Sequence, residues 1–310
     1  MPLPEEVPTQ EPQAPAKEKF FYGGQAVIEG VMMRGRSHYA VAVRLPTTQE
    51  IVVDRGELTA PIYNQRFWKL PFVRGLALLA EQVHLGMKSL IWSANVNAGA
   101  QDLEIGRREI WISVAAALAG SLLLFIGLPL LIGNLAVHKT SSFSFVVVEG
   151  IARVLLVLGY LILIAQLRDV ARVFQYHGAE HKTINAFEAG WPLDVAQVRR
   201  ASLLHPRCGT GFLVVVLVVS VLVFTLVAVF HPNFFWLVAS RILGVPVIAG
   251  VSFEWIRLMA RYKDNPVVKV MLWPVLGTQK FTTREPSDDQ LEVAIAAFHA
   301  AREGEEAQAA

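Results

Sequence analysis

The sequence predicts a mostly α-helical membrane protein. It should have about four transmembrane helices and a small α+β cytoplasmic domain, built from the N-terminal region and a C-terminal helix. Three observations predict this class. The 310 residues are 54% hydrophobic and 17% charged, with mean hydropathy +0.43, which is too apolar for an ordinary soluble domain. Four apolar stretches, at roughly residues 110–132, 145–167, 211–230 and 234–256, reach the ~20 residues a helix needs to cross a bilayer. Strand and helix signals of polar character lie before and after them.

Residues 1–19 hold five prolines among acidic and polar residues and no apolar core of a signal peptide, so they read as a disordered tail. Residues 20–108 read as a cytoplasmic α+β region. Ala26, Val27 and Ile28 face Val31, Met32 and Met33 across Glu29 and Gly30. Residues 39–45 and 50–53 bracket a polar turn at 46–49, so a hairpin or small sheet is expected. Residues 71–92 follow helical spacing. Pro71 suits a first helical position, and Leu76, Leu79, Ala80, Val83, Met87 and Leu90 form an apolar stripe that should pack on the membrane domain or lie at the interface.

Residues 109–256 form the four-helix membrane domain. Its loop 168–209 carries Arg168, Arg172, Lys182, Arg199, Arg200 and Arg207, whereas Lys139 stands alone between the first two spans. The excess of positive charge places that loop and both termini in the cytoplasm. Residues 257–302 read as a polar cytoplasmic region. In it Ser287 and Gln290 form a capping box, and Leu291, Ala294, Ile295 and Phe298 make an apolar face that should dock on the N-terminal domain. Residues 303–310 read as a second loose tail.

The chemistry concentrates in loop 168–209. His177, Glu180 and His181 spell H-x-x-E-H, the inverted form of a zinc-peptidase motif. On a helix the two histidines lie one turn apart on one face. His205 and Cys208 stand just before the third span, at the same rim of the membrane. These four residues form a nitrogen and sulfur donor set suited to zinc, and Glu180 stands beside them as a catalytic base. Four protein ligands would make a closed structural site; three would leave a position open for catalysis. A histidine pair one turn apart is also common on solvated helix faces. Cys208 is the one cysteine, so no internal disulfide is possible and a reducing compartment is natural. A net charge of +2 gives no basic field for nucleic acid, and no nucleic-acid motif is present.

Glu149 and Arg153 fall four residues apart near the outer end of the second span, and Arg241 lies at similar depth in the fourth. Ionisable groups are costly there and pair or line a cavity, so an intramembrane charge cluster is expected.

Residues 23–35 (GGQAVIEGVMMRG), 176–182 (YHGAEHK), 205–210 (HPRCGT), 282–286 (TTREP) and 291–294 (LEVA) resemble the YqhQ-like family of bacterial membrane proteins over about residues 20–300. The resemblance implies a metal-dependent enzyme, with His177, Glu180, His181, His205 and Cys208 matching its pattern. It also hints at membrane-protein biogenesis beside the ribosome or translocon. Two functional expectations follow. One is a zinc-dependent hydrolase at the cytoplasmic interface of the bilayer. The other is a non-enzymatic protein whose structural metal supports a partner platform. A transporter is a third, supported by the intramembrane charges alone.

Overall fold

The computed structural model describes residues 22–59, 65–101, 103, 106–137, 143–205, 208–230, 233–262 and 265–309. The proline-rich tail lies outside them. Four strands, β1 (Gly23–Val27), β2 (Gly30–Arg34), β3 (His38–Arg44) and β4 (Ile51–Glu57), form an antiparallel meander in sequence order. Alternation sends Val31, Met33, Ala40 and Ala42 to one face and Val27, Met32, Tyr39, Val41 and Val43 to the other. The β1–β2 turn places Glu29 at φ 53°, and its carboxylate grips Arg172 and accepts from the Tyr176 hydroxyl at 3.3 Å. A hairpin turn thereby becomes an anchor on the helix that carries the histidines.

Helix α1 spans Val73–Gly99. It starts later than Pro71 suggests, because Phe72 takes φ 65°, and it continues a further turn and more. The apolar stripe is not its buried side: Val83 and Leu90 are exposed. Its buried residues are Gly75, Glu81, Leu85, Gly86, Ser89, Ser93, Asn97 and Ala98, with Gly75 against Phe253 of the membrane domain and Gly86 against Gln25 of β1. Small residues let the helix approach β1 closely. Ser93 accepts the Ile28 N–H at 3.3 Å, and the Asn97 amide donates to the Ile28 carbonyl at 3.3 Å.

The membrane domain contains four helices apolar and long enough to cross a bilayer: Arg108–Ala136, Phe143–Ile164, Gly209–Val229 and Phe235–Met259. The first is composite, α2 (Arg107–Leu122) and α3 (Leu128–Ala136) joined through a π-helical turn at Leu123–Gly127. Pro129 lacks an N–H, and the wider turn before it absorbs the mismatch. The others are α4 (Phe143–Ile164), α7 (Gly209–Val229) and α8 (Phe234–Arg261). Between α4 and α7 lie α5 (Arg168–Glu188) and the short α6 (Val195–Arg200), whose first turn is capped by Asp194 accepting from the Gln197 N–H at 2.9 Å.

The region 257–302 holds an element that its sequence concealed. Helix α9 (Pro266–Thr282) packs on α7 and α4, with Val267, Val270 and Trp273 exposed. It is 17 residues long and carries Lys269 and Lys280, too short and too charged to register as a span.

Helix α10 (Asp288–Ala309) lies across β2 and β3 and against α5. Leu291, Ala294 and Phe298 are fully buried there, each large side chain worth roughly 1.5–3 kcal/mol. The Gln290 side chain accepts from the Ser287 N–H at 3.0 Å, as the capping pattern required. The helix does not fray at residue 303. Glu305 accepts from the Tyr22 hydroxyl at 2.8 Å and from the backbone N–H groups of Arg36 and Ser37, which fastens its last turns to the sheet.

Candidate metal centre

Helix α5 presents His177, Glu180 and His181 toward one point. Each histidine is oriented by a main-chain carbonyl: Thr282 O lies 2.7 Å from His177 Nδ1, and Leu203 O lies 2.5 Å from His181 Nδ1. A carbonyl only accepts, so both Nδ1 atoms carry a proton, and in the neutral ring the lone pair stands on Nε2. Cys208, at the N-cap of α7, places its sulfur 3.2 Å from His177 Nε2. One donor atom from each of His177, His181 and Cys208 lies within 4.8 Å of the others. His181 is fully buried, and among the described residues its Nε2 has no hydrogen-bond partner. A buried lone pair with nothing to accept is costly in a protein without a ligand. It is the normal condition of an imidazole that binds a metal, with the opposite nitrogen tied to a carbonyl. The donor chemistry, two imidazoles and a thiol, suits zinc.

Glu180 joins the same point. Its Oε2 lies 3.9 Å from His177 Nε2 and 3.7 Å from His181 Nε2. Burial pushes its carboxyl up to about 7; neighbouring His177 and the Gly24 N–H, which donates to it, both favour the anion and oppose the rise. Gly24 leaves the room: a Cβ there would stand 2.7 Å from Glu180 Cγ and 2.7 Å from Met32 O. Gly24→Ala should therefore shift Glu180 or the strand and lower stability by about 1–3 kcal/mol. A melting temperature equal to wild type would contradict this packing.

His205 is the sequence candidate that stays outside the three-residue group. Its ring centroid is 5.6 Å from that of His181, but its donor atoms are not among those that converge. The physical reason is its main chain. Gln279 on α9 accepts from His205 N–H at 2.9 Å and donates to His205 O at 2.7 Å. The Asn185 amide holds Ser202 O and Leu204 O at 2.7 and 3.1 Å. This stitching delivers Cys208 to His177 while the His205 side chain remains a buried neighbour. Sequence reasoning missed Gly24, Asn185, Gln279 and the carbonyls of Leu203 and Thr282. Of these, only Gly24 left a signal, a glycine inside a strand pattern.

The charges in the membrane domain also converge, at its far end from the sheet. Arg153 Nη2 lies 2.6 Å from Glu149 Oε1, and Arg241 binds both oxygens of that carboxylate, Nε to Oε1 at 3.1 Å. Both guanidiniums stack on Phe224, at 4.9 and 4.3 Å from the ring centre, and all three ionised groups are buried. It is a packed, hydrogen-bonded junction of α4, α7 and α8.

Residues 70–304 match a family described as "Protein of unknown function (DUF1385)". The chain is 34% identical over 296 residues, 90% of its length and 91% of the relative's, to "Uncharacterized protein YqhQ" of Bacillus subtilis (strain 168). No solved structure matches it. Neither description names an activity, so a functional reading rests on the centre's geometry. On both grounds, a match to most of the chain and a relative aligned nearly end to end, this membrane protein belongs to the DUF1385, or YqhQ-like, family.

Proposed function

We propose that the chain is a metal-dependent hydrolase of the bacterial inner membrane, binding zinc through His177, His181 and Cys208 at the cytoplasmic edge of the bilayer. The observation that carries this reading is the pair of Nε2 atoms gathered beside the Cys208 sulfur, one of them buried without a partner among the described residues. Three converging ligands among the described residues favour an open coordination position and hence catalysis. A zinc ion bound there would supply Lewis-acid polarisation and lower the pKa of water toward neutrality. The chain supplies the rest. Thr282 and Leu203 fix the imidazole planes, β1 covers Glu180 at Gly24, and Glu180 Oε2 is within reach of the same point as the group that takes and returns a proton. The arginines and lysines of the segment joining α4 to α7 support a cytoplasmic location.

The structural-metal reading draws on a different observation. The centre joins α5 to the segments leading into α7 and out of α9, so a metal there would also act as a staple. A platform for the translocon or ribosome would use that rigidity.

Metal analysis tests the core of the proposal. Purified wild type should carry about one zinc per chain. His177→Ala, His181→Ala and Cys208→Ala should each lose it, and His205→Ala should retain it. A wild-type protein that holds no transition metal after reconstitution sinks the proposal, and loss of metal in His205→Ala would restore a four-ligand site.

A further inference from the structure

A cavity of about 440 Å³ lies between α4, α7 and α9, within the range of small-molecule sites. Its walls are aliphatic: Val154, Leu158 and Leu161 on one side, Val214, Leu217 and Val221 on the other. The polar groups of its lining are threonines, Thr210, Thr278 and Thr282, and two of them belong to the surroundings of the metal centre. Thr210 Oγ1 is 3.1 Å from Cys208 Sγ, the Thr282 carbonyl accepts from His177, and the Thr282 and Thr210 hydroxyls are 3.4 Å apart. The cavity is thus a hydrocarbon-lined slot whose walls present no polar atom, the threonine hydroxyls being turned to Val275, Cys208 and one another, and one end of it abuts the residues of the centre.

Its dimensions and surroundings identify the occupant. Along α7 it runs from residue 210 to residue 222, roughly 18 Å at 1.5 Å per residue. One leaflet of a ~30 Å hydrocarbon core has similar depth. Leu213, Val218 and Leu222 both line it and remain exposed on a membrane-spanning helix, so the slot is continuous with the surface that lipid covers. A water-soluble substrate would find no hydrogen-bonding group along most of this length. A lipid tail would lose nothing on entering, and its polar linkage would come to rest beyond the apolar lining, beside Cys208 and His177 at the end where Thr210 and Thr282 stand.

We propose that this slot binds the acyl chain of a membrane lipid and presents the lipid's ester linkage to the centre. The substrate class of the hydrolysis proposed above is then an acyl lipid, and this inference rests on that reading. In the reaction, the oxygen of water bonds to the acyl carbon and the acyl carbon–oxygen bond breaks. One water proton passes by way of the Glu180 carboxylate to the departing alkoxide, and the other leaves with the carboxylic acid.

The test uses the full chain in phosphatidylethanolamine–phosphatidylglycerol vesicles, doped with a phosphatidylethanolamine that carries a mid-chain diazirine on one acyl chain. After photolysis, adducts should concentrate on residues 154–161 and 213–222. Leu217→Trp on α7 and Leu158→Trp on α4, which fill the slot from opposite walls, should each lower that labelling at least fivefold while zinc stays at one per chain. Labelling of Leu155 and Leu226, which are exposed on the same helices outside the slot, should not change. Equal labelling inside and outside the slot, unaffected by either tryptophan, would mean annular lipid only and would overturn the inference with the metal site intact. Slot-specific labelling of a protein that binds no zinc would instead leave a lipid site and remove the hydrolase reading on which the substrate claim rests. Should both tryptophan variants lose zinc and melt early, Leu217→Ala and Leu158→Ala, which widen the slot, must change the adduct positions; unchanged positions would also overturn it.

Discussion

Glu149→Gln is expected to destabilise the protein by on the order of 3–5 kcal/mol, the usual consequence of removing one partner from a buried ionic group. The carboxylate answers two guanidiniums at once, so its loss leaves two cations in a region lipid surrounds, without a counter-charge. Both arginines are held against Phe224 and packed between helices, so neither can reach water without opening the α4–α7–α8 junction. Glutamine keeps the shape and one acceptor, which isolates the charge as the cause. In mild detergent the melting midpoint should fall by about 10 °C. Arg241→Met should cost less, because it removes one cation and leaves Glu149 paired with Arg153. A midpoint within about 2 °C of wild type for Glu149→Gln would show that the cluster contributes no net stability.

Glu180→Gln should remove about 10²–10⁴ of the activity, the range that a positioned general base supplies, and should leave zinc content and melting nearly unchanged. The side chain is the same size, and the Gly24 N–H can still donate to the amide oxygen. Complementation of a deletion strain gives the readout before a substrate is known. Full rescue by Glu180→Gln, combined with loss of rescue and of thermal stability in His177→Ala, would replace the hydrolase reading with the structural one.

The spans, the sheet and the docking of α10 were legible because they follow from period and composition. Valine, leucine and isoleucine runs of bilayer length announce helices, and alternation announced β1 to β3. The α1 surface was not legible. Its packing is set by glycine, serine and asparagine at close approaches and by Leu85, none of which belongs to the apolar stripe read from the spacing. Helix α9 was hidden by two lysines and a length of 17 residues. At the centre, His177, Glu180, His181 and Cys208 stood out as residue types that do chemistry. His205 stood out equally and is buried beside His181, because spacing in a non-helical segment says nothing of whether a ring nitrogen reaches the converging group. The groups that decide the matter, the Thr282 and Leu203 carbonyls and the Gln279 amide, are either main chain or lie far along the sequence from what they hold.

The fastening of Glu305 to Tyr22, Arg36 and Ser37 bears on how the protein is made. The sheet that covers Glu180 is the first described structure to leave the ribosome, and α10, which covers the sheet, is the last. All four spans lie between them. A chain stalled or misthreaded at any span can form its hairpins, yet it has no α10 to enclose Tyr176, Ala179 and the histidine helix. Because α10 follows every span in the chain, Tyr176 and Ala179 on the histidine helix gain this cover only after the spans have been made.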